Sequence, residues 1–146
     1  MRYQGSVQEY DVIINRNVMV PMRDGVHLAA DVYFPANDGK KINKQFPVVL
    51  ERTPYDKSTM VNRLHGGFFA RRGYVVVKQD VRGRFESEGI WYAFAREAED
   101  GYDTVEWLAK QPWSNGKIGT EGSSYAGSDQ SALATLNPPH LSTMIV

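Results

Sequence analysis

The chain has 146 residues, 42% of them hydrophobic and 23% charged, the ordinary balance of one packed domain. Lysine plus arginine and aspartate plus glutamate number 17 each, so no basic excess exists to drive binding to nucleic acid or an anionic membrane. Cysteine is absent, which excludes disulfides, thiolate metal sites and a cysteine nucleophile.

The apolar runs 47–50 and 74–77 fall far short of the ~18 residues that a membrane span needs. Residues 1–5 show no apolar stretch with a cleavage site, so no secretory leader is visible and a cytoplasmic location is expected. In chain order, 8–15 and 18–22 alternate loosely and read as strands. Arg23-Asp24-Gly25 is a turn signal, and 26–34 reads as the returning strand of a hairpin. The polar segment 35–45, with Lys40, Lys41 and Lys44, reads as a solvated loop. A continuous apolar strand over 47–52 is of the buried, parallel kind. A helix over 64–72, closed by Gly73, and a second buried strand over 74–78 follow. Helical spacing at Tyr102, Val105, Trp107 and Leu108 predicts a helix over 96–111, stopped by Pro112. The run 117–121 is a third buried strand, 125–135 a helix, and 141–146 the start of another strand. A hairpin followed by alternating strands and helices implies an α/β fold.

The junction Gly122-Ser123-Ser124-Tyr125-Ala126-Gly127 joins the third buried strand to its helix. A nucleophilic serine at such an elbow needs small residues two positions to either side, because strand and helix nearly touch there. Ser124 has Gly122 and Ala126; Ser123 would have Glu121 and Tyr125. That requirement selects Ser124.

Further segments carry a family resemblance. They are 100–119 (from Asp100-Gly101-Tyr102-Asp103 to Lys117-Ile118-Gly119), Gln79-Asp80-Val81-Arg82-Gly83-Arg84 with Ser87-Glu88-Gly89, and Thr53-Pro54-Tyr55-Asp56-Lys57. With the elbow, they resemble the X-prolyl dipeptidyl-peptidase and cocaine-esterase family (CocE/NonD) of α/β-hydrolases, in family order, from about Val18 to Val146. Phe85 stands where many members carry glycine, with no functional consequence expected. The resemblance implies a serine hydrolase acting on ester or amide bonds, either acyl or X-Pro dipeptidyl, with ester hydrolysis the broadest description.

An acyl transfer needs donors for the oxyanion as well as a nucleophile. The backbone N–H of Tyr125, the residue after Ser124, supplies one. The resemblance assigns the other to the hydroxyl of Tyr55, which its residues alone would read as a half-buried aromatic. Asp80 and Arg82 read as members of internal ion pairs or loop hydrogen bonds, and Tyr102, Trp107 and Trp113 as packing aromatics. No phosphate cradle and no metal-ligand spacing occurs, so neither cofactor nor metal is expected.

A base and an orienting acid are also required, in the chain order serine, acid, histidine. His27 lies on the hairpin and reads as a surface or edge residue, and His65 as a helix N-terminal polar group able to line a pocket. His140 follows Ser124, but the sole acid between them, Asp129, falls on the elbow helix facing away from a triad acid's position. The expectation is that residues 1–146 form a partial α/β-hydrolase catalytic domain, the N-terminal part of a larger serine hydrolase, ending before the triad acid and histidine. Its partner is a small ester, amide or peptide substrate, with oligomeric state left open. A non-catalytic fragment or pseudoenzyme that folds only with a partner is the alternative.

Overall fold

A computed structural model of the protein describes residues 5–146; residues 1–4, part of the segment read for a leader, lie outside them. Strands β1 (Asp11–Pro21) and β2 (His27–Asn37) form the expected hairpin. The two strands expected over 8–15 and 18–22 are instead one. The register shifts between Asn15 and Val18, where Asn17 adopts φ 50. A bulge absorbs the one extra residue, and the buried carboxylate of Asp31 accepts from the Asn17 N–H at 3.1 Å. The segment expected to be loop over 35–45 is partly strand, because β2 runs on to pair with the two-residue β3 (Lys40–Lys41). There Lys41 lays its ammonium 3.8 Å over the Phe34 ring rather than standing free in solvent.

Then follow β4 (Phe46–Thr53), α1 (Met60–Ala70), β5 (Val75–Asp80), α2 (Glu97–Ala109), β6 (Ser114–Glu121), α3 (Tyr125–Ala134) and β7 (Leu141–Ile145). Helix α1 begins four residues before the expected start, because the Thr59 hydroxyl accepts from the Asn62 N–H at 3.3 Å and caps it. The sheet order is β1-β2-β5-β4-β6-β7. Strand β2 pairs antiparallel with β5, while β5–β4, β4–β6 and β6–β7 are parallel. This mixed sheet with flanking helices is the N-terminal part of an α/β-hydrolase fold.

The helices divide between the two faces. Val105 and Leu108 of α2 and Leu133 of α3 pack with Val48, Leu50, Val75, Val77 and Ile118 in the larger core. Val76, facing the other way, packs with Tyr33 and Ala70 under α1. Burial on both faces explains why β4 and β5 read as continuous apolar runs. Tyr102, Trp107 and Trp113 pack against the larger core, as expected. The parallel strands β4, β5 and β6 deliver their C-terminal loops to one edge of the sheet, the edge where open α/β sheets bind ligands.

Candidate functional site

Ser124 occupies the turn between β6 and α3 with φ 57 and ψ −122. A serine in that conformation costs about 1–3 kcal/mol and persists only where its surroundings over-determine it. They do here. The Gly122 N–H donates to Ile145 O at 3.2 Å, tying the turn to β7. The Gln130 amide donates to the carbonyls of Gly122, Ala126 and Ile145 at 3.1, 3.3 and 3.0 Å. Thr120 fixes the Gln130 carbonyl from beneath at 2.8 Å. Helix and strand approach so closely that a Cβ on Gly122 would lie 2.6 Å from that of Ala126. The small-residue requirement read from the sequence is therefore met by contact at positions 122 and 126, and the Ser124 side chain remains exposed.

The loop after β4 brings Tyr55 over this turn. Its hydroxyl lies 3.5 Å from Ser124 Oγ, and the residue is 58% exposed rather than half-buried. The loop's shape is set by buried charge. The Lys57 N–H donates to Asp80 Oδ1 at 2.8 Å, and its ammonium sits 3.2 Å from Asp80 and 3.8 Å from Asp31. Burial pushes the Asp80 carboxyl above the usual range, with the Lys57 N–H and ammonium opposing. Arg84 donates to Pro54 O at 3.2 Å from the other side. Asp80 thus serves in an internal pair, as expected.

Arg82 does likewise, bridging Asp100 at 2.6 Å and Asp24 at 2.9 Å, contacts that raise its pKa further. Ser87 accepts from the Ala29 N–H at 2.9 Å and donates to Asp80 O at 2.7 Å, fastening the loop to β2 and β5. Phe85 in that loop has φ 48, the left-handed region that favours glycine.

Tyr125 opens α3 directly after Ser124, so its N–H is one of the leading donors that the helix itself leaves unpaired. The Tyr125 side chain turns under the elbow. Its phenol donates to Glu97 Oε1 at 2.8 Å, accepts from the Phe94 N–H at 2.9 Å, and has its pKa raised by burial.

None of the three histidines reaches Ser124. His27 pairs with Glu88 at 3.2 Å on the hairpin. His140 binds Glu106 at 2.8 Å and lies beside Gly116 near the start of β6, whereas Ser124 follows the end of that strand. His65, on α1, lies 3.2 Å from both Lys78 and Glu121. Asp129, on α3, is buried beside Leu50, Arg52 and Leu133.

Two arrangements escaped the sequence reading. Glu51, His65 and Glu121 bring ligand-capable atoms within 4.8 Å of one another. The fully buried ammonium of Lys78 contacts all three, so a cation of the chain's own already occupies the place between the carboxylates. Their positions on β4, α1 and β6 leave no local spacing to read. The second is the contact of Arg52 with Glu97, described below. A groove of about 720 Å³ lies on the α1 side of the elbow, with Gly122 and Ser123 on its wall but not Ser124.

The family profile described as X-Pro dipeptidyl-peptidase (S15 family) matches residues 24–146. Cocaine esterase from Rhodococcus sp. is 45% identical over 121 residues, covering 78% of this chain and 20% of its own. The structure of a CocE/NonD family hydrolase from Staphylococcus aureus superposes with a TM-score of 0.80 at 37% identity, over 91% of this chain and 27% of that one. An α-amino acid ester hydrolase superposes with 0.76 at 35% identity, over 99% and 26%. The chain therefore spans about a quarter or less of the length of these relatives.

Proposed function

The chain belongs to the X-Pro dipeptidyl-peptidase (S15) family, and on that premise we propose that it carries the nucleophile and oxyanion hole of a serine hydrolase. The observation that carries this reading is Ser124 held at φ 57 with the Tyr55 hydroxyl 3.5 Å from its Oγ. Ser124 Oγ attacks the carbonyl carbon of an ester or amide while a histidine takes its proton. The carbonyl oxygen gains the negative charge, and Tyr55 O–H and Tyr125 N–H donate to it. Collapse expels the alcohol or amine, which takes that proton, and leaves an acyl group on Ser124. Water, deprotonated by the same base, then releases the acid and restores the serine.

The base and its acid come from chain beyond these 146 residues. His27, His65 and His140 are each committed to a carboxylate elsewhere. Esters are the substrate class proposed first, with acyl amides and X-Pro dipeptidyl amides sharing the same steps. The test is hydrolysis of a p-nitrophenyl ester by the complete protein. Ser124→Ala should reduce turnover to background while Ser123→Ala retains most of it. Loss in Ser123→Ala with turnover intact in Ser124→Ala would assign the chemistry to the wrong serine.

A further inference from the structure

Beneath the elbow runs a chain of polar contacts that the proposed reaction does not use. Arg52 leaves the end of β4 and is buried. Its Nε donates to Gln79 Oε1 on β5 at 3.0 Å, and its Nη1 to the Glu97 carbonyl at 2.9 Å. Its Nη2 lies 2.8 Å from Glu97 Oε2, a close ion contact off the hydrogen-bond direction. The other oxygen of that carboxylate accepts from the Tyr125 phenol. The Phe94 ring stacks on the Tyr125 ring at 4.2 Å, and the Phe94 N–H closes the set on the phenol oxygen. Gln79 of β5, Arg52 of β4 and Glu97 of α2 are thus linked in series to one side chain, that of the residue following the proposed nucleophile.

We propose that Glu97, clamped by Arg52, is a positioning residue for the oxyanion hole: it holds the Tyr125 phenol and thereby fixes the Tyr125 backbone N–H. This rests on the reading of that N–H as an oxyanion donor. Helix α3 has no side-chain hydrogen bond capping its first turn, so an ordinary cap does not set the direction of its leading N–H groups. The Gln130 clamp holds the backbone carbonyls of Gly122, Ala126 and Ile145, whereas the Glu97 tether holds the side chain of Tyr125, the first residue of the helix. Arg52 gives the buried Glu97 carboxylate a counter-charge at close range, and the hydrogen bond from the Tyr125 phenol falls on the other oxygen of the same group. Misplacing a donor by a fraction of an ångström weakens its interaction with the developing charge more than its binding of neutral substrate.

The test uses the complete protein, with kcat expressed per site titrated by a fluorophosphonate. Tyr125→Phe keeps the ring and its stack on Phe94 and deletes only the hydroxyl. It should lower kcat on a p-nitrophenyl ester about 10-fold with KM within about 2-fold, short of the ~10²–10³ expected when a donor is removed outright. Glu97→Gln keeps an acceptor oxygen but loses the charge, so it should lose about 3-fold, and the double variant should be no worse than Tyr125→Phe alone. Unchanged kcat per titrated site in both variants, or a loss expressed only as a lowered Tm, overturns the positioning role. A double variant whose losses multiply overturns it too. If Tyr125→Phe does not fold, Glu97→Gln carries the same prediction. Failure of the wild-type protein to form an adduct at Ser124 would instead sink the nucleophile assignment, and the adduct's location separates the two failures.

Discussion

Tyr55 and Ser124 come from loops 69 residues apart, and their hydroxyls meet at 3.5 Å. Ser124 could be picked from the chain because the requirement for small flanks is local. Tyr55 was legible only through the family resemblance, since nothing in Thr53-Pro54-Tyr55 states which loop it will face. Tyr55→Phe removes one hydroxyl from an exposed ring, so the fold should persist while kcat on an ester falls ~10²–10³-fold. An unchanged kcat refutes the donor role.

Asp129 carries a second prediction at this scale. It is 2% exposed, neither carboxylate oxygen has a hydrogen-bond partner among the described residues, and burial pushes its pKa from 3.8 up to about 8. Glu97 adds to the rise and Arg52 opposes it. Between pH 4 and pH 8 the unfolded chain has released this proton and the folded chain keeps it, so this group's contribution to stability falls as pH rises through that window. Asn does not titrate. The Tm of Asp129→Asn relative to wild type should therefore increase from pH 4 to pH 8, by an amount worth a few kcal/mol at most. An equal Tm difference at both values contradicts the assignment. Neither Asp129's isolation nor the Arg52–Glu97 contact could be foreseen, because both depend on how three or more elements stack.

Among the elements, order and type were largely legible because the buried strands read as short apolar runs, α2 carries helical spacing, and Gly73 and Pro112 mark breaks. The bulge in β1 was not. A lapse in alternation near Arg16 looks the same whether the strand ends or bulges, and only pairing with β2 and the pull of Asp31 decide it. The short pairing of β3 likewise depends on β2 lying beside it. The β6–α3 elbow gives the sharpest prediction at this scale. Gly122 has φ 143, and a methyl added there would meet Ala126 at 2.6 Å. Gly122→Ala should force the strand and helix apart, lower stability by about 1–3 kcal/mol and abolish ester turnover. Denaturant melts showing wild-type stability would mean that the contact is relieved at no cost.

Over the whole molecule, one face of the sheet is well covered and the other is not. Among the described residues, helices α2 and α3 cover the first, whereas α1 is the one helix on the second. The groove beside it exposes Val61, Leu64 and Phe68 with Ile145 and Val146 at the end of β7. Apolar surface at the end of an edge strand favours self-association. Purified as residues 1–146, the chain should elute above monomer size. It should also hydrolyse neither a p-nitrophenyl ester nor a Xaa-Pro p-nitroanilide above buffer, since a triad acts as a unit and no histidine here addresses Ser124. Turnover that disappears in Ser124→Ala would mean that His65 or His140 reaches the serine after all. No helix among the described residues is long and apolar enough to cross a membrane.

All of the chemistry proposed for this site turns on covalent acylation of Ser124. Reacting the complete protein with a fluorophosphonate and mapping the modified peptide by mass spectrometry tests it most directly. One adduct is expected, on Ser124, absent in Ser124→Ala and retained in Ser123→Ala. An adduct on another residue, or labelling that survives Ser124→Ala, would contradict it.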